Sequence, residues 1–267
     1  MIETEIAEAS DYIRRRIPWR PGLGIVLGSG LGGMRKAFRT VRAFRYGEIP
    51  NFPVSTVHGH RGALVLGERG GLRVWIMDGR VHLYEGGSFS HVTLPAAVLA
   101  RLGVSTMIIT NAAGAISDRL SPGDIMLIED HVDLMWKGVP EVSGRPQVHH
   151  RPYYSRRMLD VACKTAGRLG VRAVRGVLLA MTGPSYETRS EVEFARKIGA
   201  DAATMSTIPE VTMCHRLGVA VLGMSVVTNV AAHPAGGHEE VLVAARRGSR
   251  NLEKLILGVA GAIEGEI

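Results

Sequence analysis

Aromatic residues make up only 5% of this 267-residue chain, too few to build the stacking platforms that single-stranded nucleic acids need. A formal charge of +7 invites a nucleic-acid partner. The basic residues, however, come in scattered groups such as Arg14-Arg15-Arg16, Arg156-Arg157 and Arg246-Arg247, not in the single stripe such a partner requires. Cysteine is scarce: Cys163 and Cys214 stand in apolar, helix-like surroundings without CxxC or zinc-ligand spacing. That excludes a disulfide scaffold and predicts buried free thiols in a reducing compartment. No apolar run reaches the roughly 20 residues of a membrane span, and Met1 to Glu5 carries acids where a signal peptide carries lysine. The expectation is a cytoplasmic protein with no membrane partner. No Ser-, Pro- or charge-rich linker and no fixed-period repeat divides the chain, so residues 1–267 read as one domain.

What is present is apolar sequence in short runs: 46% of residues are hydrophobic, enough for a full core at this length. An amphipathic first helix ends near Arg16. Strands are expected at Gly22 to Leu27, Ala63 to Leu66, Leu72 to Met77, Ser105 to Thr110, Asp124 to Ile128, Val174 to Ala180 and Val219 to Ser225. Helices are expected at Val92 to Leu102, Met158 to Leu169, Arg189 to Ile198, Pro209 to Leu217 and His238 to Ile263. Apolar strands alternating with helices predict an α/β domain whose sheet is covered on both faces. Ligands of such folds sit at strand ends. Here those ends carry Thr110-Asn111-Ala112-Ala113-Gly114, Thr182 to Thr188 and Thr228-Asn229, and convergence on one cleft is the economical inference.

Arg80, His82 and Tyr84 alternate with Val81 and Leu83 in the run Val74 to Glu85. If the chain is extended there, a cation, an imidazole and a phenol share one face and Val81 and Leu83 enter the core. That wall suits an anion; the bland alternative is an edge strand facing water. Gly28-Ser29-Gly30-Leu31-Gly32-Gly33 matches G-x-G-x-x-G, but the acid a dinucleotide fold needs is replaced by the arginines of Thr40 to Arg45. The loop can equally be a packed turn or offer amides and the Ser29 hydroxyl to one phosphate. His58-Gly59-His60 lacks a second ligand cluster, so no metal is expected. Ser29, His60, Arg80 and His82 together make better sense around an oxyanion. Glu187 and Asn229 follow apolar strands, where helix-start and capping roles are the plain reading. A carboxylate that accepts and an amide that both accepts and donates also suit one edge of a purine.

In this order, these motifs together with Met205-Ser206-Thr207-Ile208-Pro209-Glu210 and His238-Glu239-Glu240-Val241 resemble the purine nucleoside phosphorylases of the trimeric, 6-oxopurine-preferring class. The resemblance runs from Gly22 to Val241. It implies phosphorolysis of guanosine and inosine in purine salvage by a homotrimer, on a central mixed β-sheet flanked by helices, with inorganic phosphate as co-substrate and neither metal nor cofactor. It also implies a phosphate site of Ser29, His60, Arg80, His82, the Ala112 N–H and Ser206. Tyr84, Tyr186, Met205 and His238 would hold the ribose, and Ala113, Gly114, Glu187 and Asn229 the base. His82, Glu187 and Asn229 would carry the catalysis.

Three positions depart from the family pattern. Thr204 stands where glycine is common, which would narrow the base pocket on that side. The connection from Val230 to Gly237 is short, leaving His233 as the alternative to His238. The aromatic a neighbouring subunit supplies, expected between Val148 and Tyr154, has no clean counterpart. A methylthioadenosine phosphorylase shares the phosphate motifs but normally carries aspartate at position 229. A purine-binding sensor with a dead site is the rival outside enzymes.

Overall fold

The computed structural model describes residues 2–28, 30–55, 62–135, 151–232 and 238–264, with side chains of 238–245 and 264 excepted. The fold is α/β with a mixed sheet. Six helices are described: α1 (Ile2–Arg14), α2 (Phe89–Arg101), α3 (Arg156–Leu169), α4 (Arg189–Lys197), α5 (Ile208–Arg216) and α6 (His238–Glu264). Nine strands accompany them: β1 (Leu23–Leu27), β2 (Arg39–Arg45), β3 (Ala63–Arg69), β4 (Leu72–Asp78), β5 (Thr106–Ala115), β6 (Ile125–Asp133), β7 (Ala173–Ala180), β8 (Ala202–Thr204) and β9 (Ala220–Val230). All five expected helices beyond α1 and all seven expected strands are present, with ends shifted.

The chain forms two compact units. The first is built chiefly from Met1–Ile109 and Ile208–Val221, in strand order β2-β3-β4-β1-β5. β1 lies parallel to both β4 and β5, and every residue from Leu23 to Leu27 is buried. That is the apolar, non-alternating signature of a strand covered on both faces. β3 runs antiparallel to β2 and β4. β2 was missed as a strand because its burial is patchy, with Phe44 the one residue fully buried. An edge strand with three arginines among its seven residues carries little apolar signal. α1 packs on α2, and α2 on α5.

The second unit holds Thr110–Trp136, Tyr154–Thr207 and Leu222–Ile267, in order β5-β8-β7-β6-β9. β6 and β7 pair in parallel, β7 and β8 likewise, while β6 runs antiparallel to β9. β8 has three residues, too few for any periodicity to reveal. Yet it extends β5: Gly114 pairs with Ala203 and Ala115 with Ala202. α3 starts on a Ser155 cap, whose Oγ accepts from the Met158 N–H, ends at Gly170 with φ 63°, and packs on α6.

Candidate active site

Within the first unit the site begins where β4 stops. β4 ends at Asp78, because Gly79 takes φ 112°, a conformation that glycine alone adopts readily. The chain then turns through Arg80 and His82 into a 3₁₀ turn at Leu83–Glu85. The expected extended wall of Arg80, His82 and Tyr84 is therefore corrected: Arg80 and His82 lie past the strand and Tyr84 sits in a helical turn. Tyr84 nevertheless stacks on His82, with ring centroids 4.8 Å apart and planes 16° from parallel. Val81 and Leu83 are buried as expected, but so are Arg80 and His82.

Burial on that scale demands partners for the charges. The Arg80 guanidinium meets the Glu210 carboxylate at 3.2 Å, both side chains at most 3% exposed. Nearby, the Tyr46 hydroxyl donates to the Gly79 carbonyl at 2.8 Å. Burial, then Glu210 and Asp78, push the Tyr46 phenol well above its ordinary range, so it remains protonated and a donor. His82 is fixed by Glu85, whose Oε1 accepts from the His82 backbone N–H at 2.8 Å and lies 3.1 Å from Nδ1. The Ser55 hydroxyl holds the other carboxylate oxygen at 3.0 Å. Burial first, and then the Arg80 charge, lower the His82 pKa against the opposing pull of Glu85. The imidazole is thus neutral at pH 7, and Glu85 beside Nδ1 favours the tautomer that carries its proton there.

Within the second unit, Asn111, Ala112, Ala113 and Gly114 belong to β5 rather than to the loop expected after Thr110, and Thr228 and Asn229 lie within β9. The strands run on because β8 and β9 supply ladder partners. Asn229 is half-buried. Its Oδ1 accepts from the Thr228 hydroxyl at 2.9 Å, and its Nδ2 donates to the Val230 carbonyl at 3.3 Å. A Cβ at Gly114 would come within 3.3 Å of Nδ2, so glycine keeps room beside the amide. Helix capping, the plain reading of Glu187, is done by its neighbours: the Thr188 hydroxyl accepts from the Glu191 N–H, and Glu191 takes the Thr188 N–H. Glu187 itself is half-buried.

Tyr186 stands 77% exposed on the loop after β7. Thr204, expected to narrow the base pocket, is buried and turns its hydroxyl onto β5, donating to the Ala112 carbonyl at 3.0 Å. Met205 and Ser206 are half-buried. Ser206 and Thr207 hydroxyls lie 3.1 Å apart, and Thr207 Oγ1 accepts from Asn111 Nδ2 at 2.9 Å. Thr207 holds φ 79°, a strained conformation for a β-branched residue that costs about 1–3 kcal/mol.

Ser29, His58, His60 and His233 lie outside the described residues, as do the 233–237 connection and 148–150 of the segment expected to hold the aromatic. His238 starts α6, and its side chain is likewise outside. Cys214 is buried as expected, whereas Cys163 is only half-buried, its sulfur accepting from Arg175 Nε at 3.3 Å. Among the described residues no group of three or more metal-ligating side chains occurs, and no helix is long and apolar enough to cross a membrane. The sequence reading missed Glu85, Glu210, Asn111, Thr207 and Thr228 as functional partners. Glu85, three residues from His82, and Thr207 and Thr228, next to Ser206 and Asn229, lay close in sequence to the residues they hold; Glu210 and Asn111 did not.

The chain belongs to the phosphorylase superfamily, whose family model matches residues 23–260. Within it, purine nucleoside phosphorylase 1 of Geobacillus stearothermophilus is 41% identical over 238 residues, spanning 87% of this chain and 86% of that protein. Purine nucleoside phosphorylase 1 of Bacillus subtilis (strain 168) is 38% identical over 98% of this chain and all of that one. Among solved structures, isoform 2 of purine nucleoside phosphorylase from Schistosoma mansoni, in complex with cytosine and ribose-1-phosphate, superimposes with a TM-score of 0.85. It is 34% identical and covers 96% of this chain and 95% of its own.

Proposed function

We infer that this protein is a purine nucleoside phosphorylase: it converts a purine ribo- or deoxyribonucleoside and inorganic phosphate into free purine and α-ribose-1-phosphate or its 2-deoxy counterpart, reversibly, a pentosyl transfer of purine salvage. The observation that carries the reading is the buried Arg80–Glu210 pair beside a neutral His82 anchored on Glu85, in a chain that matches the phosphorylases over nearly its whole length. The methylthioadenosine reading is disfavoured by Asn229 and by these relatives.

Breaking the N9–C1′ bond leaves positive charge on the sugar and negative charge on the purine. In this reading Ser29, His60, Arg80, His82, the Ala112 N–H and Ser206 take the phosphate. The Arg80 cation, fixed in direction by Glu210, meets its negative oxygens, and the His82 Nε2 lone pair meets the oxygen that still carries a proton. Phosphate so held faces the developing oxocarbenium ion, and ordering both reactants removes much of the entropic barrier. Tyr84, Tyr186, Met205 and His238 hold the ribose. Glu187 accepts from N1–H of the base. Thr228 already occupies one lone pair of Asn229 Oδ1, which turns the amide so that the second lone pair receives N7–H and Nδ2 donates to O6, helped by the space at Ala113 and Gly114. The electron pair of the breaking N9–C1′ bond passes to the purine and makes N7 basic; N7 takes up a proton from water and then donates it to Oδ1, so the bond favours the transition state over the ground state, the condition for raising the rate. No metal or organic cofactor is needed, and the working form is a cytoplasmic homotrimer acting as one domain per chain.

Inosine incubated with and without orthophosphate tests the reading. Hypoxanthine should appear only with phosphate, alongside stoichiometric ribose-1-phosphate; phosphate-independent binding without turnover would support the sensor reading instead.

A further inference from the structure

Asn111 and Thr207 are separated by 96 residues in the chain, yet their side chains bond at 2.9 Å in a buried setting, and neither has a role in the reaction described above. Asn111 is 2% exposed and Thr207 1%. The amide nitrogen can only donate, so Thr207 Oγ1 is the acceptor in this bond. Asn111 Oδ1 has no hydrogen-bond partner among the described residues, an unusual condition for a buried polar atom. The amide is therefore kept for its donor. A hydroxyl that accepts a hydrogen bond is polarised and becomes a better donor, and the oxygen 3.1 Å away is that of Ser206. Thr207 reaches both neighbours from a left-handed backbone at φ 79°, which a β-branched residue adopts only where its surroundings enforce it.

We propose that Asn111 and Thr207 are positioning residues forming a one-way hydrogen-bond chain, Asn111 to Thr207 to Ser206, that directs the Ser206 proton away from Thr207 and toward the phosphate co-substrate. The inference rests on the phosphorolysis reading. A hydroxyl free to rotate presents an oxyanion with a lone pair as readily as with a proton. Ser206 accepting from Thr207 presents the proton, and this orientation is set before phosphate arrives.

Three variants test the chain by steady-state kinetics with phosphate and inosine varied separately. Thr207→Val removes the hydroxyl and keeps the shape; the KM for phosphate should rise about tenfold, the loss expected for a hydrogen bond to a charged group, with the KM for inosine within about twofold. Thr207→Ser should restore the phosphate KM. Asn111→Asp replaces a donor by an acceptor, draws the Thr207 proton back and reverses the chain, and should raise the phosphate KM at least as much. Unchanged phosphate affinity in both Thr207→Val and Asn111→Asp overturns the proposal. So does a parallel rise in both KM values, which marks a merely structural role. Calorimetric titration of each folded protein with inorganic phosphate reads the same order of affinities without turnover. It separates failure of the chain from failure of the phosphorolysis reading, which shows as absent phosphate-dependent cleavage in the unaltered protein.

Discussion

The segment after β4 and the segments at β7 and β9 present their polar groups in opposite ways. Arg80 and His82 are buried and already held inside the first unit: the Arg80 charge by Glu210, and the neutral His82 ring by Glu85, itself held by Ser55. In the second unit Glu187 and Asn229 are half-buried, and Tyr186 is open to solvent. A doubly charged oxyanion is costly to desolvate, so its receptor must be rigid before it binds. A neutral purine is recognised by the direction of a few hydrogen bonds, and those groups can wait for it in contact with water.

The largest effect expected on this contrast is on specificity. In the proposed base site, Asn229→Asp replaces an amide suited to a 6-oxo purine by a carboxylate that accepts from a 6-amino one. The inosine-to-adenosine ratio of kcat/KM should fall by about 10³ or more, within the range a hydrogen-bonding site achieves. An unchanged ratio would remove Asn229 from the base site.

Next in size is stability. Glu210→Gln leaves the Arg80 charge buried without its carboxylate and should cost about 3–5 kcal/mol in urea unfolding, whereas converting both residues to methionine recovers most of it. Glu187→Gln at the half-buried position should shift stability by no more than about 0.5 kcal/mol. Comparable losses at 210 and 187 would erase the contrast between the two regions.

A smaller effect concerns pH. Because burial and Arg80 hold the His82 pKa below 6.5 in the folded protein, the unfolded chain takes up this proton first on acidification. Stability therefore falls as pH drops below about 6.5 towards the folded value, and His82 contributes no pH dependence above it. NMR titration of His82 should give a midpoint below 6.5, and His82→Gln should flatten the stability curve in that window.

The smallest change is Gly114→Ala. Its Cβ would meet Asn229 Nδ2 at 3.3 Å, a contact that a shift of a few tenths of an ångström relieves. The KM for inosine should rise a few-fold while the KM for phosphate is unchanged.

By itself the sequence determined the alternation of apolar strands and amphipathic helices, because periods near two and 3.6 are written residue by residue. It also determined the motifs that carry the family resemblance. Local signals failed where structure depends on a partner. β8 exists because β5 and β7 flank it, and Thr228 and Asn229 stay in a strand because β9 continues past Ser225. Alternation predicted Arg80, His82 and Tyr84 on one extended face; the backbone at Gly79 ended the strand first, although the rings of His82 and Tyr84 still met. Only the tertiary structure decided that Glu210 neutralises Arg80 and that Asn111 reaches Thr207. Each pair joins residues about a hundred or more positions apart, and the energy that selects them, relief of buried charge and of buried polar groups, arises only once the chain has folded around them.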